Sequence, residues 1–376
     1  MVMVNQVGPN SIITLFRFCC QLFPLFCENI AFWMTNRAKN ILYSILIFVL
    51  VYGVFKYRQW NNDEPIEVDG STMGTTYHII YFDDDARNFK SSIDSLLAVF
   101  NQSLSTYIGD SEISAFNEGN SFEFNLPYFL PVLEKSRAIE RTSGGAFDPT
   151  VMPLVNAWGF GPGKKIKLDS LLLDSIMQFV GLEKVKFNAD SVWKEDPRVQ
   201  LDFSAIAKGY GVDVVLEFLK SKGVTNMFVE IGGEVSTRGQ NIKLEKPWEV
   251  GILDPNSTYE SQSFMAYAQL RDMAMATSGN YFNFYEENGI KYSHTIDPST
   301  GYTIQHQLLS ASVFAPDCMT ADGWATALMV IGHEKAIEKL SNLDDVEAFL
   351  IYSTDEGVKT FATPGISSSI NLKNSK

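Results

Sequence analysis

The chain has 376 residues, of which 45% are hydrophobic and 20% are charged, a composition typical of a globular protein and one that excludes extensive disorder. Its formal net charge of −14 argues against a nucleic-acid backbone as partner. Of the four cysteines, only Cys318 lies beyond the N-terminal segment, so the body has no internal disulfide and no cysteine-based metal site.

The N-terminal segment is basic and strongly apolar. Residues 41–55 form an apolar run with basic residues on both sides, and as a helix the run would be about 22 Å long, slightly less than a hydrocarbon core of about 30 Å. We predict that residues 34–60 are an uncleaved membrane anchor, because no small-residue cleavage site follows; a cleaved signal peptide is the alternative. Arg37 and Lys39 favour a cytoplasmic N-terminus and an exported body. Residues 1–33 form an apolar leader, and translation that began at Met34 would leave this leader out of the protein.

The remainder is predicted to be one α+β domain over residues 68–363, between a linker at 61–67 and a polar tail at 364–376. Strands and helices do not alternate regularly, which favours α+β over a doubly wound sheet. A Gly-x-Gly-x-x-Gly fingerprint is absent, which argues against a Rossmann site. The predicted strands are 75–82, 198–203, 227–231, 248–253, 264–270, 292–296 and 310–315. The predicted helices are 86–100, 128–141, 204–219, 318–331 and 334–340.

The first segment with candidate chemistry follows a predicted helix. Gly144 and Gly145 permit close backbone approach, and Asp148 is held by a Pro turn. A plain helix-ending turn explains the glycines equally well. Phe147 is expected to be exposed, where its ring suits the edge of an aromatic ligand.

The second segment is the predicted helix start around Lys208. It follows a predicted strand that ends near Asp202, and Ser204 lies in its first turn. Helix N-termini with a neighbouring lysine are natural seats for phosphate groups, so a nucleotide is the first candidate ligand. Small residues at a helix start also simply allow close packing, and this segment alone does not decide between the two.

The third segment places His294 and Asp297 at a predicted strand end before a turn. The chain has four histidines, and His294 is a candidate general base, although a lone histidine is more often structural. Asp297 would orient the imidazole or cap the turn.

The fourth segment lies on the predicted helix 318–331. Asp322 and Thr326 are four residues apart and share a face. A carboxylate and a hydroxyl suit Mg²⁺, which fills its octahedron with phosphate and water. The structural alternative is a threonine bonded to its own helix and an aspartate in the first turn. Gly323, between them, is expected to cost under about 1 kcal/mol of helix stability.

In chain order, these segments resemble the FAD:protein FMN transferase family, also called the ApbE family. The resemblance covers about residues 68–363 and is carried by Met73-Gly74-Thr75, the Gly-Gly-Ala-Phe-Asp-Pro-Thr turn at 144–150, and residues 205–209, 230–234, 293–301 and 321–328. It implies an ApbE-type, T-fold-like flavin transferase domain, here preceded by one transmembrane helix. It also implies cleavage of the FAD pyrophosphate with Mg²⁺ and transfer of FMN, as a phosphoester, to a Thr or Ser of a partner protein, with release of AMP.

The resemblance also implies roles for particular residues. FAD contacts are implied for Met73, Tyr107, Ala146, Phe147, Asp148 and Lys208. The metal, Mg²⁺ or Mn²⁺, would be held by the Ala205 carbonyl, Asp322 and Thr326. His294 is our choice for the base that removes the acceptor hydroxyl proton, with Asp297 as helper or alternative.

Partner and compartment follow from the same resemblance. The expected acceptor is a subunit of a sodium-translocating NADH:quinone reductase or a related membrane redox complex. The expected location is the bacterial inner membrane, with the catalytic domain facing the periplasm. Two other functions stay open: an FAD pyrophosphatase that releases free FMN and AMP, and a membrane-tethered flavin carrier without catalysis. The presence of Lys208, His294, Asp322 and Thr326 together counts against the carrier.

Overall fold

The computed structural model describes residues 35–62, 64–161, 166, 168–257, 261–280, 284–287, 290–293 and 295–373; for 54–62, 284–287 and 290–293 it describes the backbone alone. The chain divides into two compact units, Met1–Asn62 and Asp63–Lys376. His294 lies outside the described residues.

The described part of the first unit is helix α1, Asn36–Asn62. Its large apolar side chains between Ile41 and Tyr52 are exposed. Within the described ranges, no helix has the combination of length and apolar character that membrane crossing requires. The anchor at 34–60 stays a prediction.

The second unit contains the following elements. The strands are β1 (Ile66–Thr72), β2 (Thr75–Phe82), β3 (Ser121–Glu123), β4 (Val185–Phe187), β5 (Ser191–Lys194), β6 (Asn226–Ile231), β7 (Glu234–Arg238), β8 (Trp248–Leu253), β9 (Phe264–Leu270), β10 (Ala274–Gly279), β11 (Phe284–Glu287), β12 (Ile290–Ser293), β13 (Leu308–Ala315), β14 (Glu347–Thr354), β15 (Gly357–Ala362) and β16 (Ile370–Leu372). The α-helices are α2 (Lys90–Leu104), α3 (Glu112–Glu118), α4 (Phe129–Ser143), α5 (Met152–Trp158), α6 (Ser170–Met177), α7 (Ala207–Ser221), α8 (Cys318–Ile331) and α9 (His333–Leu340).

An antiparallel sheet forms the centre of this unit. In the described part of the chain it has eight strands in the order β1-β2-β6-β7-β10-β13-β14-β15. Side chains alternate between its two faces, as the period of two requires. On β2, Tyr77 and Ile79 belong to the hydrophobic cluster that contains Val212 of α7, whereas Phe82 belongs to the cluster that contains Trp248 of β8. The sheet therefore lies between a helical layer, which includes α7 and α8, and a small sheet in the order β16-β9-β8.

The α+β fold class is confirmed, and so are most predicted elements. The predicted strands at 75–82, 248–253 and 264–270 match β2, β8 and β9, and those at 227–231 and 310–315 lie within β6 and β13. The predicted helices at 128–141, 318–331 and 334–340 match α4, α8 and α9 to within two residues. The hydrophobic pattern within each of these segments is sufficient to place it.

The predicted strand at 198–203 is wrong. Leu201 is buried, but its N–H donates to Asn117 Oδ1 at 2.7 Å and its carbonyl accepts from Asn117 Nδ2 at 2.9 Å. The N–H of Asp202 donates to the Pro149 carbonyl at 2.7 Å. These backbone groups are satisfied by loop atoms, so no ladder forms. The helix predicted from residue 204 consequently begins at Ala207, after a turn.

Two other boundaries differ, and several elements of the described chain were not predicted: the strands β1, β3, β4, β5, β7, β10, β11, β14, β15 and β16 and the helices α3, α5 and α6. The helix predicted from residue 86 begins at Lys90, because Ala86 has a left-handed φ of 53° within a turn. The strand predicted at 292–296 ends at Ser293, and Ile296 forms an isolated bridge with Thr303. Strand β1 escaped prediction because only Val68 and Thr72 of its residues are buried.

Candidate active site

A cleft of about 940 Å³ opens on the second unit, at the upper end of the size range of cofactor sites. Eight of the predicted site residues line it: Tyr107, Ala146, Phe147, Asp148, Ala205, Lys208, Asp322 and Thr326. They come from four separate segments of the sequence. The fold therefore brings the predicted flavin and metal residues to one place.

The β6–β7 hairpin forms one wall of the cleft. Its tip is Gly232-Gly233, with φ values of 63° and 102°, a region that disfavours residues with a side chain. A Cβ on Gly232 would lie 2.8 Å from Thr75 Cγ2. The turn is closed by Glu230, whose Oε1 accepts the Gly233 N–H at 2.5 Å, and it places Glu234 at the first position of β7.

A charged cluster lies at the junction of β7, α7 and α8. Lys208 Nζ is 2.7 Å from Glu234 Oε1 and 3.8 Å from Asp322 Oδ1. Both carboxylates have only 4% of their side-chain surface exposed, against 31% for Lys208. Desolvation by the surrounding protein opposes the charge on Lys208, but Asp322 and Glu234 outweigh it and raise the pKa of Lys208. Burial raises the pKa of Glu234, and Lys208 opposes that rise.

Asp322 also joins the two central helices. Its Oδ2 accepts the N–H of Gly209, in the first turn of α7, at 2.9 Å. A Cβ at Gly209 would clash with the Cys318 carbonyl and lie 2.7 Å from Asp322 Cβ, so the close approach of α7 to α8 needs a glycine here. One turn further along α8, Thr326 Oγ1 is 3.4 Å from Ser278 Oγ of β10.

The oxygen atoms at this end of the cleft fit a hard divalent cation. Asp322, Thr326 and Ala205 all line the cleft, and residues of these types can offer a carboxylate, a hydroxyl and a carbonyl oxygen to a cation. Where the structure describes the chain, no group of three or more His, Cys, Asp or Glu side chains is arranged to hold a metal ion. A cation would therefore take few ligands from the protein and complete its shell with phosphate and water, as Mg²⁺ commonly does.

Asp148 is built into the loop that follows α4. Its Oδ1 accepts the Thr150 N–H at 2.7 Å and the Thr150 hydroxyl at 2.6 Å, while its Oδ2 accepts the Leu182 N–H at 3.1 Å. Burial raises the pKa of Asp148, and these hydrogen bonds oppose the rise. The expected exposure of Phe147 is wrong: it is 2% exposed and belongs to the largest hydrophobic cluster, and it still contributes to the cleft wall.

Two other predicted flavin residues lie at different depths. Tyr107 is 72% exposed and lines the cleft. Met73 does not line the cleft; it has a left-handed φ of 50° and packs against α7, where a Cβ on Gly211 would lie 2.5 Å from its terminal methyl.

Asp297 caps a turn, one of the two roles considered for it. Its Oδ1 accepts from the Ser299 N–H at 2.8 Å and the Ser299 hydroxyl at 2.7 Å. Its neighbours Ile296 and Pro298 line the cleft, but Asp297 itself does not. Its helper role beside His294 stays a prediction.

Sequence reasoning missed two contributors to the cleft. Glu234 was noted only within a motif, and Ser278 was not singled out. Their proximity to Lys208 and Thr326 depends on strand pairing between distant segments, which a local pattern does not reveal. The available signal was the Gly-Gly-Glu sequence, which indicates a tight hairpin with an acidic residue directly after it.

Comparison with known proteins agrees with this geometry. The model of the ApbE family matches residues 73–350. The chain belongs to the ApbE family. It is 40% identical over 311 residues to the FAD:protein FMN transferase of Haemophilus influenzae, covering 78% of this chain and 88% of that protein. It is 38% identical over 337 residues to the FAD:protein FMN transferase of Vibrio cholerae, covering 86% of this chain and 97% of that protein.

A solved structure gives the same result. The flavin transferase ApbE from Vibrio cholerae superposes with a TM-score of 0.74 at 36% identity, covering 81% of this chain and 99% of that one. The ApbE-type fold is therefore confirmed. The prediction that this ApbE-family chain is an enzyme, a transferase of phosphorus-containing groups, is also confirmed.

Proposed function

We propose that this enzyme transfers FMN from FAD to a Thr or Ser hydroxyl of an acceptor protein. The acceptor oxygen attacks the phosphorus on the FMN side of the pyrophosphate, the bond to the bridging oxygen breaks, and AMP leaves. The products are an FMN phosphoester on the acceptor and free AMP. The main support is the cleft, where Lys208, Asp322 and Thr326 meet the Asp148 loop.

The protein's own charges suit this reaction. Lys208 keeps its charge between two carboxylates and lies at the cleft wall, where its ammonium group would neutralise charge that grows on the leaving phosphate. Asp322, Thr326 and the Ala205 carbonyl would hold Mg²⁺ or Mn²⁺, which supplies positive charge to the pyrophosphate when bound. The Asp148 loop and Tyr107 would hold the flavin portion of FAD. Met73, which packs against Gly211 of α7, is also a proposed FAD contact.

The proton of the acceptor hydroxyl needs a base. His294 is proposed for this role, since an imidazole titrates near neutral pH and the residue follows β12 directly. Asp297 is the proposed helper. Its carboxylate holds the turn that follows and so fixes the local backbone.

Acceptor, compartment and attachment are also proposals. We propose a subunit of a sodium-translocating NADH:quinone reductase or a related membrane redox complex as the acceptor. The proposed location of the second unit is the periplasmic face of a bacterial inner membrane, with residues 34–60 as the anchor. The basic residues before the apolar run and the exposed apolar side chains of α1 support this arrangement.

The test is to incubate the purified protein with FAD, Mg²⁺ and the acceptor, and to inspect a denaturing gel for flavin fluorescence on the acceptor band. An acceptor in which the target Thr is replaced by Val is the control. Fluorescence only on the unmodified acceptor is expected. Free FMN and AMP without labelling would favour the pyrophosphatase, and intact FAD would favour the carrier.

A further inference from the structure

The structure assigns a positioning role to Glu234 in the cleft. We infer that Glu234 holds the ammonium group of Lys208 away from Asp322 and thereby leaves Asp322 Oδ1 available to a divalent cation. This inference rests on the proposed function, because it concerns the metal that the transfer reaction would use.

The distances support this arrangement. The same ammonium nitrogen is 2.7 Å from Glu234 Oε1, a full hydrogen-bonded ion pair, but 3.8 Å from Asp322 Oδ1, which is beyond hydrogen-bond range. The other oxygen of Asp322 already accepts the Gly209 N–H at 2.9 Å. Oδ1 is thus the Asp322 oxygen left for a cation.

Because Glu234 and Asp322 are buried, it matters which of these two carboxylates pairs with Lys208. The two carboxylates are almost fully buried, so Asp322 would attract any nearby cation strongly. A lysine side chain is flexible enough to follow the stronger attraction. Glu234 sits on the rigid β6–β7 hairpin and so supplies a fixed competing carboxylate.

The second oxygen of Glu234 gives an independent indication that its task is electrostatic. Oε2 is buried and has no hydrogen-bond partner in the described part of the chain. A carboxylate with a purely structural role would be expected to have both oxygens hydrogen bonded, because an unsatisfied buried oxygen is costly. The ion pair that the Glu234 carboxylate makes in the described part of the chain is with Lys208.

The test measures Mn²⁺ binding to the full-length, FAD-free protein by electron paramagnetic resonance of the free ion. Glu234→Gln preserves shape and removes the charge, so Lys208 should move onto Asp322. The dissociation constant for Mn²⁺ should rise by ~10-fold or more, because the ammonium group would then compete with the cation for a buried carboxylate. Glu230→Gln is the matched control. The Glu230 carboxylate lies on the same hairpin but accepts a hydrogen bond from Gly233 and makes no ion pair with Lys208, so its removal should change the Mn²⁺ dissociation constant by less than ~3-fold.

A second variant separates competition from direct ligation. Adding Lys208→Met to Glu234→Gln removes the competing ammonium group, so the Mn²⁺ affinity should return to the parental value or above it. Lys208→Met alone should likewise bind Mn²⁺ no more weakly than the parent, and this holds as a test even if Glu234→Gln does not fold. Circular dichroism and thermal unfolding establish which variants are folded.

The outcomes are distinct. Parental affinity in Glu234→Gln would overturn the inference. Weak binding in both Glu234→Gln and the double variant would also overturn it, because Glu234 would then be a metal ligand itself. Absence of Mn²⁺ binding in the parent, with and without FAD, would instead overturn the metal assignment of the proposed function.

Discussion

Asp322 has two contacts at the scale of single residues: its Oδ2 accepts a hydrogen bond from Gly209 of α7, and its Oδ1 lies 3.8 Å from Lys208 Nζ. We predict that Asp322→Ala abolishes metal-dependent turnover and that Thr326→Ala weakens it less, because a carboxylate contributes a full charge and a hydroxyl only a dipole. The double variant should be no worse than Asp322→Ala. Turnover against Mg²⁺ concentration measures this, and excess Mg²⁺ should partly rescue Thr326→Ala alone. Parental rates in both single variants at limiting Mg²⁺ would refute the metal site.

His294 is the second residue to test. His294→Ala should leave FAD affinity nearly unchanged and lower FMN transfer by ~10²-fold, the usual scale for a general base. Quenching of flavin fluorescence gives the affinity, and the rate of acceptor labelling gives the transfer. An unchanged labelling rate would exclude His294 and leave Asp297 or another group as the base.

The sequence predicted individual site residues well where a local period was enough. Helical spacing alone put Asp322 and Thr326 on one face, and both reach the cleft. The pairing of Lys208 with Glu234 was beyond local reasoning, because it depends on how α7 packs against the start of β7. The burial of Phe147 was missed for the same reason, since its loop folds back onto the core.

At the scale of elements, the α7–α8 contact positions the charged cluster. Gly209→Ala would place a Cβ against the Cys318 carbonyl, which is backbone and cannot move aside cheaply. We expect a net loss of roughly 1–3 kcal/mol in the free energy of unfolding and weaker Mn²⁺ binding, as overpacking displaces Asp322.

Gly323→Ala, on the other helix, is the control for Gly209→Ala. Its Cβ would lie 2.5 Å from the flexible end of Ile139 and 3.4 Å from that of Ile206, and the gain in helix propensity of about 1 kcal/mol offsets part of that cost. Urea unfolding compares the two variants. An equal loss of stability would show that the two contacts are equally rigid. The glycine that sequence analysis treated only as a cost to α8 therefore also makes room for α4.

A second α7 residue that contacts the start of α8 should make the free energy of unfolding depend on pH. Asp213 of α7 accepts the N–H groups of Cys318 and Met319, each at 2.8 Å, at the start of α8. Burial raises the pKa of Asp213 to about 7 from an ordinary 3.8, although both hydrogen bonds oppose the rise. The folded state therefore binds the proton more tightly than the unfolded state. The contribution of protonated Asp213 to the free energy of unfolding is complete below about pH 4 and is lost as the pH rises towards 7.

Asp213→Asn tests this pH dependence. The amide does not titrate, so between about pH 4 and about pH 8 the parent should lose on the order of 3 kcal/mol more stability than the variant. Urea unfolding across this range gives the difference, in which the contributions of other groups cancel. Parallel curves for the two proteins would mean that Asp213 titrates normally.

Element prediction failed where side chains satisfy the backbone. The apolar run at 198–203 has the alternation of a strand, but Asn117 occupies the Leu201 backbone groups that a neighbouring strand would need. Asn117 lies 84 residues away from Leu201, so the sequence around 198–203 does not indicate this contact. The long helices were predicted because their periodicity is self-contained.

For the whole molecule, composition and motif order predicted the α+β class and the family, but the sheet order was not predicted. Neighbouring strands such as β2 and β6 are far apart in sequence, and antiparallel crossovers of this kind leave no local trace. The cleft exists only once these crossovers are made. Its residues could thus be identified singly, whereas their mutual distances could not.

The central claim is that one cleft both cleaves FAD and passes FMN to a protein hydroxyl. The most direct measurement is the intact mass of the acceptor after incubation with full-length enzyme, FAD and Mg²⁺, with AMP quantified in the same sample. We predict a mass increase equal to FMN minus one water, one AMP for each modified acceptor, and neither product with Asp322→Ala. AMP release with an unmodified acceptor mass would contradict the transferase account.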